Sequence, residues 1–81
     1  MGYHIREITK GSFGDFSKIQ EEWEELLDAH EQGGKILELV ELSDLYGAIE
    51  GYLQNEYSMT MADIKQMSEM TSSAFKEGKR K

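Results

Sequence analysis

Apolar and polar positions along this chain follow helical spacing over three stretches, divided by short glycine- or serine-containing breaks. Before the first stretch, residues 1–11, "MGYHIREITKG", alternate weakly at Tyr3, Ile5 and Glu7, which predicts a short extended arm or edge strand. Gly11 and Gly14 then punctuate the chain. Ser12 or Asp15 is placed to cap a helix running to about Glu31, in which Phe16, Ile19, Trp23, Leu26, Leu27 and His30 form one apolar stripe. "QGG" at 32–34 ends it.

The second predicted helix starts near Lys35 and continues to about Glu56, and its apolar residues occupy no single face. At about 100° per residue, Ile36, Leu37, Leu39, Val40, Leu42, Leu45, Tyr46, Ile49, Tyr52 and Leu53 surround most of the axis. Such a helix is expected at the centre of an assembly, with a second subunit covering what the other helices of one chain leave bare. The third helix opens at "SMTMAD", where Thr60 and Asp63 resemble a capping box with Asp in place of Glu. Its expected buried stripe is Met61, Ile64, Met67, Thr71, Ala74 and Phe75, with Gly78 as its stop and a basic tail at 79–81. The pattern predicts an all-α chain of three helices, a single domain over 1–81, assembling into an oligomeric helical bundle.

Composition narrows the function. Sixteen acidic residues against nine basic ones give a formal charge of −7, which argues against binding a nucleic acid polymer through its phosphates. There is no proline or cysteine, and 38% hydrophobic with 31% charged residues suits a compact helical protein. No apolar run approaches the roughly 18 residues of a membrane span, and no signal pattern opens the sequence, so the expected location is the cytoplasm, with no membrane partner.

The acidity is clustered. Glu21, Glu22 and Glu25 in "EEWEE" fall within about 100° of one helix face. Glu41 and Asp44 share the second helix's face with Leu37, Val40 and Ala48 and with Gly47 and Gly51, two mid-helix glycines that imply close approach by a helix or ligand. If the two helices pair antiparallel across "EQGGK", both clusters lie opposite each other near mid-helix. Four or five carboxylates converging without cysteine, and with no histidine suitably placed in the sequence, select a hard cation such as Mg²⁺ or Mn²⁺ rather than zinc. Mg²⁺ commonly completes its shell with substrate phosphates, which points to phosphate-ester or phosphoanhydride chemistry.

Glu-Glu-x-x-Glu at 21–25, followed after fifteen residues by Glu-x-x-Asp at 41–44, resembles the MazG-like all-α nucleoside triphosphate pyrophosphohydrolases. "KIQEEWEELLDA" is similar to that family's first motif helix and "ELVELSDLYGAIEGYL" to its second, and the short length resembles the compact phage and bacterial versions. The resemblance implies Mg²⁺-dependent hydrolysis of a nucleoside triphosphate, or a related nucleotide, to the monophosphate and pyrophosphate, in a host cytoplasm if the protein is phage-encoded. It implies Glu22, Glu25, Glu41 and Asp44 as metal ligands, with Glu21 a further ligand or the group that activates water. It also implies a homodimer or homotetramer.

Longer members of the family it resembles carry phosphate-gripping groups beyond the third helix. Here Lys76, Lys79 and Arg80 are the candidate substitutes, although a basic tail of this kind commonly just complements the helix dipole. Lys18 is a further candidate for substrate, or an ion-pair partner for Glu21 and Glu22. Trp23, Tyr46, Tyr52 and Tyr57 are expected to pack rather than stack on a base. The methionines of the third helix are expected in the core, and His4 and His30 outside the chemistry. Two other classes compete: a nucleotide-sequestering module using the same carboxylates, and a purely structural helical interaction protein.

Overall fold

In the computed structural model, residues 4–76 are described, with side chains as far as residue 72. Three helices follow one another: α1 (Phe16–Gln32), α2 (Lys35–Tyr57) and α3 (Met61–Lys76). No strand occurs among the described residues. The chain is all-α, as its patterning predicts.

Local chemistry sets the helix ends. The Asp15 side chain accepts a hydrogen bond from the Ser17 amide at 3.0 Å, which satisfies one of the free donors of the first turn of α1. Gly33 closes α1 in the left-handed region at φ 76°, where a side chain is disfavoured. The predicted capping box is present: the Asp63 carboxylate accepts from the Thr60 amide at 3.0 Å and the Thr60 hydroxyl accepts from the Asp63 amide at 3.3 Å.

α1 and α2 pack against each other along an antiparallel hairpin, while α3 scarcely touches either. The expectation of a methionine-lined core on α3 is therefore not met within one chain. Met67 is 55% and Met70 71% exposed, because no helix lies against that face. Ala74 and Phe75 have side chains outside the described set, and Gly78 and the 79–81 tail lie outside the described residues. Within one chain, the faces of α2 that a second subunit is expected to cover stay bare. Ile36, Leu39, Val40, Leu42 and Tyr46 remain exposed, and Trp23 of α1 is half exposed near Leu42. Tyr52 is held between Phe16 and Tyr57 by edge-to-face ring contacts with centroids 5.7 and 5.9 Å apart.

The arm over residues 4–12 forms no strand and leads into a turn at 13–15, and its exposed and half-buried positions alternate from His4 to Ile8. Ile5 faces outward, 80% exposed, while His4 and Arg6 turn toward α1. The reason is electrostatic, since the facing surface of α1 is a ladder of acids. The Arg6 guanidinium donates to Glu24 at 2.7 Å and to Glu31 at 3.0 Å. Gly11 lets the arm lie directly on the start of α1, where an added Cβ would collide with the Ser17 carbonyl. Its amide donates to Glu21 Oε1 at 2.9 Å. Of the mid-helix glycines, Gly51 is approached by the Phe13 ring rather than by a helix, and Gly47 meets nothing within 4 Å.

Candidate metal centre

The interior of the α1–α2 hairpin is acidic. Glu41 is completely buried, and Glu21, Glu22 and Asp28 are at most 5% exposed, whereas the only buried hydrophobic residues among those described are Ala29, Ala48 and Leu53. Helical spacing explains the alignment: Glu21, Glu25 and Asp28 recur every three or four residues on α1, and Glu41 and Asp44 do so on α2. Across the interface Glu22, Glu25, Glu41 and Asp44 each offer an oxygen, all within 4.8 Å of one another. Asp44, at the rim, is exposed.

Like charges gathered out of water require compensation. Lys18 supplies part of it, with Nζ 3.0 Å from Glu21 Oε1 and 3.1 Å from Glu22 Oε2. Glu21 is otherwise held by the Gly11 amide and approached by Lys10, and its carboxyl also meets that of Glu25 at the edge of the four-carboxylate group. Against the cost of burial, the Gly11 amide and Lys18 hold the Glu21 carboxyl below its usual range. Glu22 Oε1 and Glu41 Oε1 are buried with no hydrogen-bond donor among the described residues. Each such oxygen costs about 1–3 kcal/mol, more when charged, unless a cation or water meets it.

This donor set fits a hard divalent ion. All four groups are carboxylates, and oxygens about 2.1 Å from Mg²⁺ lie at most about 4.2 Å apart across the ion, so the observed span closes with small side-chain movements. Zinc's preferred thiolates are lacking.

No protein family, curated protein or solved structure matches this chain. The functional reading therefore stands on the site and its residues. The structure brings together Glu22, Glu25, Glu41 and Asp44 and places Glu21 and Lys18 beside them. Lys76 carries no described side chain, and Lys79 and Arg80 lie outside the described residues.

Two residues escape the sequence reading. Asp28 lies three positions beyond Glu25 on the same face of α1, and that spacing was a readable signal. His4, expected outside the chemistry, lies against the acids: its Nε2 is 3.0 Å from Glu41 and 3.7 Å from Glu25, and its Nδ1 2.9 Å from Asp28. Its partners lie 24 and 37 positions away, so no local pattern announces them. His30 stays on the surface with Glu38.

The protonation equilibria have a testable consequence. Burial raises the Glu22 carboxyl, with Glu25 and Asp44 adding to it and Lys18 opposing. Burial likewise raises Glu25, reinforced by Glu41 and Glu21. Both native acids retain protons that the unfolded chain releases near pH 4.5, so this contribution to stability declines as pH rises from there through the raised values. Burial would lower His4, but hydrogen bonds to Asp28 and Glu41 outweigh it and the ring is raised. Its contribution is complete below 6.5 and is lost as pH rises through the folded value. Asp28, against burial, is lowered to about 2 by His4, the Ile5 and Arg6 amides and Gln32, so its contribution is present above 3.8 and lost as pH falls through about 2. In chelator the melting temperature is expected to peak on the acid side of neutrality and to fall toward both extremes. A flat profile between pH 5 and pH 8 would contradict the assignment of these groups.

Proposed function

We propose that this protein is a metal-dependent nucleotide pyrophosphohydrolase in which Glu22, Glu25, Glu41 and Asp44 hold Mg²⁺ or Mn²⁺. The observation that carries the reading is the pair of buried, unpartnered oxygens, Glu22 Oε1 and Glu41 Oε1, inside a four-carboxylate cluster contributed by two helices. A purely structural core gains nothing from such atoms, whereas a cation site needs them. The resemblance of residues 21–25 and 41–44 to the MazG-like motifs points to the substrate, a nucleoside triphosphate or related nucleotide cleaved by water to the monophosphate and pyrophosphate.

The bound ion would neutralise phosphate charge and make water a better nucleophile at neutral pH. The chain's own residues have separable tasks. The three buried or half-buried acids Glu22, Glu25 and Glu41 form the floor that holds the ion, and exposed Asp44 completes it at the rim, where a phosphate chain has access. Lys18 neutralises Glu21 and Glu22, limiting repulsion within the floor. Glu21, with its oxygens engaged and its pKa lowered, is suited to anchoring the arm and Lys18 and poorly suited to taking a proton from water.

The test is pyrophosphate release from a panel of ribo- and deoxyribonucleoside triphosphates with Mg²⁺ or Mn²⁺. Turnover of at least one nucleotide is expected. A folded, metal-loaded protein that returns every nucleotide unchanged would defeat the enzyme reading, and tight binding without turnover would establish a sequestering module instead.

The same reading includes self-association. The apolar face of α2 at Ile36, Leu39 and Leu42, with Trp23 near Leu42, is exposed, and among the described residues only Ala29, Ala48 and Leu53 are fully buried hydrophobics. A dimer or tetramer would cover it. Leu39→Glu is expected to reduce the mass measured by light scattering toward that of a single chain, and to lower the melting temperature with it. A wild-type protein that is already monomeric at high concentration would refute the expectation.

A further inference from the structure

His4 ties the two helices of the hairpin together beside the carboxylate cluster. Its Nδ1 lies 2.9 Å from Asp28 Oδ2 on α1 and its Nε2 3.0 Å from Glu41 Oε2 on α2, with Glu25 Oε1 farther off at 3.7 Å. Ionised carboxylates only accept, so both ring nitrogens donate and the ring is an imidazolium. Asp28 is a firm anchor for it. That side chain is 3% exposed and accepts from the Ile5 amide at 3.1 Å, the Arg6 amide at 3.3 Å and Gln32 Nε2 at 2.8 Å. The Arg6 guanidinium fastens the same arm to Glu24 and Glu31.

This bridge makes the two oxygens of Glu41 unequal. Oε2 is engaged by the ring, whereas Oε1, on a side chain completely out of solvent, has no donor among the described residues. A carboxylate held through one oxygen by a charged donor is not free to turn, so its other oxygen keeps a fixed direction. Metal-ligating carboxylates are characteristically hydrogen-bonded in this way, and removing such a partner weakens metal binding about 10–100-fold. The charge on the ring does not exclude the ion. Glu21, Glu22, Glu25, Asp28, Glu41 and Asp44 carry six negative charges when ionised, of which Lys18 and the imidazolium offset two, leaving more than one divalent cation cancels.

We propose that His4 is a positioning residue for the metal centre, which donates from Nε2 to Glu41 Oε2 and so presents Glu41 Oε1 as the ligating atom. The arm over residues 4–12 is then part of the site. The proposal rests on the carboxylate–metal reading given above and adds to it a residue that acts through Glu41 without touching the ion.

Mg²⁺ alone, titrated by calorimetry into the full metal-free chain, provides the test. Asparagine can reproduce the donor at Nδ1 and glutamine the donor at Nε2, so the two variants separate anchoring the arm from holding Glu41. His4→Asn is expected to bind Mg²⁺ about 10–100-fold more weakly than the wild type, and His4→Gln to recover the affinity to within about threefold. Ring ¹⁵N spectra of the wild type give a readout that needs no variant. Nε2 is expected to keep its proton when Mg²⁺ saturates the site. Equal or tighter Mg²⁺ binding by His4→Asn, equal losses in both variants, or disappearance of the Nε2 proton on adding Mg²⁺ overturns this inference and leaves the carboxylate site standing. A wild-type chain that binds no Mg²⁺ overturns both.

Discussion

Saturating Mg²⁺ is expected to raise the melting temperature of the wild-type chain by roughly 10–20 °C, and Glu41→Gln to abolish the increase. A ligand that binds only the folded state at about one hundred times its dissociation constant contributes about 2.7 kcal/mol. For a domain of this size each kcal/mol moves the midpoint by about 4–8 °C. Glu41 is the right position for the test because its side chain is wholly buried within the four-carboxylate group. Glutamine preserves the volume and removes the charge that attracts the ion. Protein concentration must be held constant, since self-association also shifts the midpoint. Equal melting temperatures for the wild type with Mg²⁺ and with chelator would remove the basis of the metal assignment.

Asp44→Asn is expected to lower kcat/KM for the hydrolysed nucleotide by roughly 10²–10³-fold while leaving the metal-free protein's stability within about 0.5 kcal/mol of wild type. The separation follows from exposure. Asp44 is on the solvent side of the cluster and contributes nothing to the packed interior, yet it supplies one of the four converging oxygens. An ion that stabilises the transition state by several kcal/mol is worth that many 1.36 kcal/mol steps of ten in rate. Steady-state kinetics beside calorimetry of the metal-free variant decide the matter. Full activity in Asp44→Asn would exclude it from the ligand set.

The helix ends were readable because capping chemistry is local. Asp15 reaches an amide two residues away, Thr60 and Asp63 are three apart, and Gly33 needs only its own backbone freedom. The convergence of 21–25 with 41–44 was readable for a related reason, since a two-residue break at Gly33 and Gly34 between two long helices allows few arrangements other than an antiparallel hairpin. His4 was not readable. Its position depends on an arm drawn across α1 by Arg6, Gly11 and the Asp28 carboxylate, and no short segment contains both sides of any of those contacts.

Apolar periodicity was informative about helices and less so about burial within one chain. Met67, Met70 and the Ile36–Leu39 face carry the spacing of a core, but spacing records which residues share a face and does not supply the neighbour that covers it. The sequence by itself determined the three helices, their caps and the alignment of five acids on two facing stripes, all of which follow from interactions within a few residues. Only the tertiary structure decided that four of those acids converge, that Lys18 and the Gly11 amide hold Glu21 beside them, and that His4 links Asp28 to Glu41. Charges separated by tens of residues meet only when the chain's long-range path brings them within a few ångströms, and Coulomb and hydrogen-bond energies fall off too steeply for spacing alone to reveal which of them do.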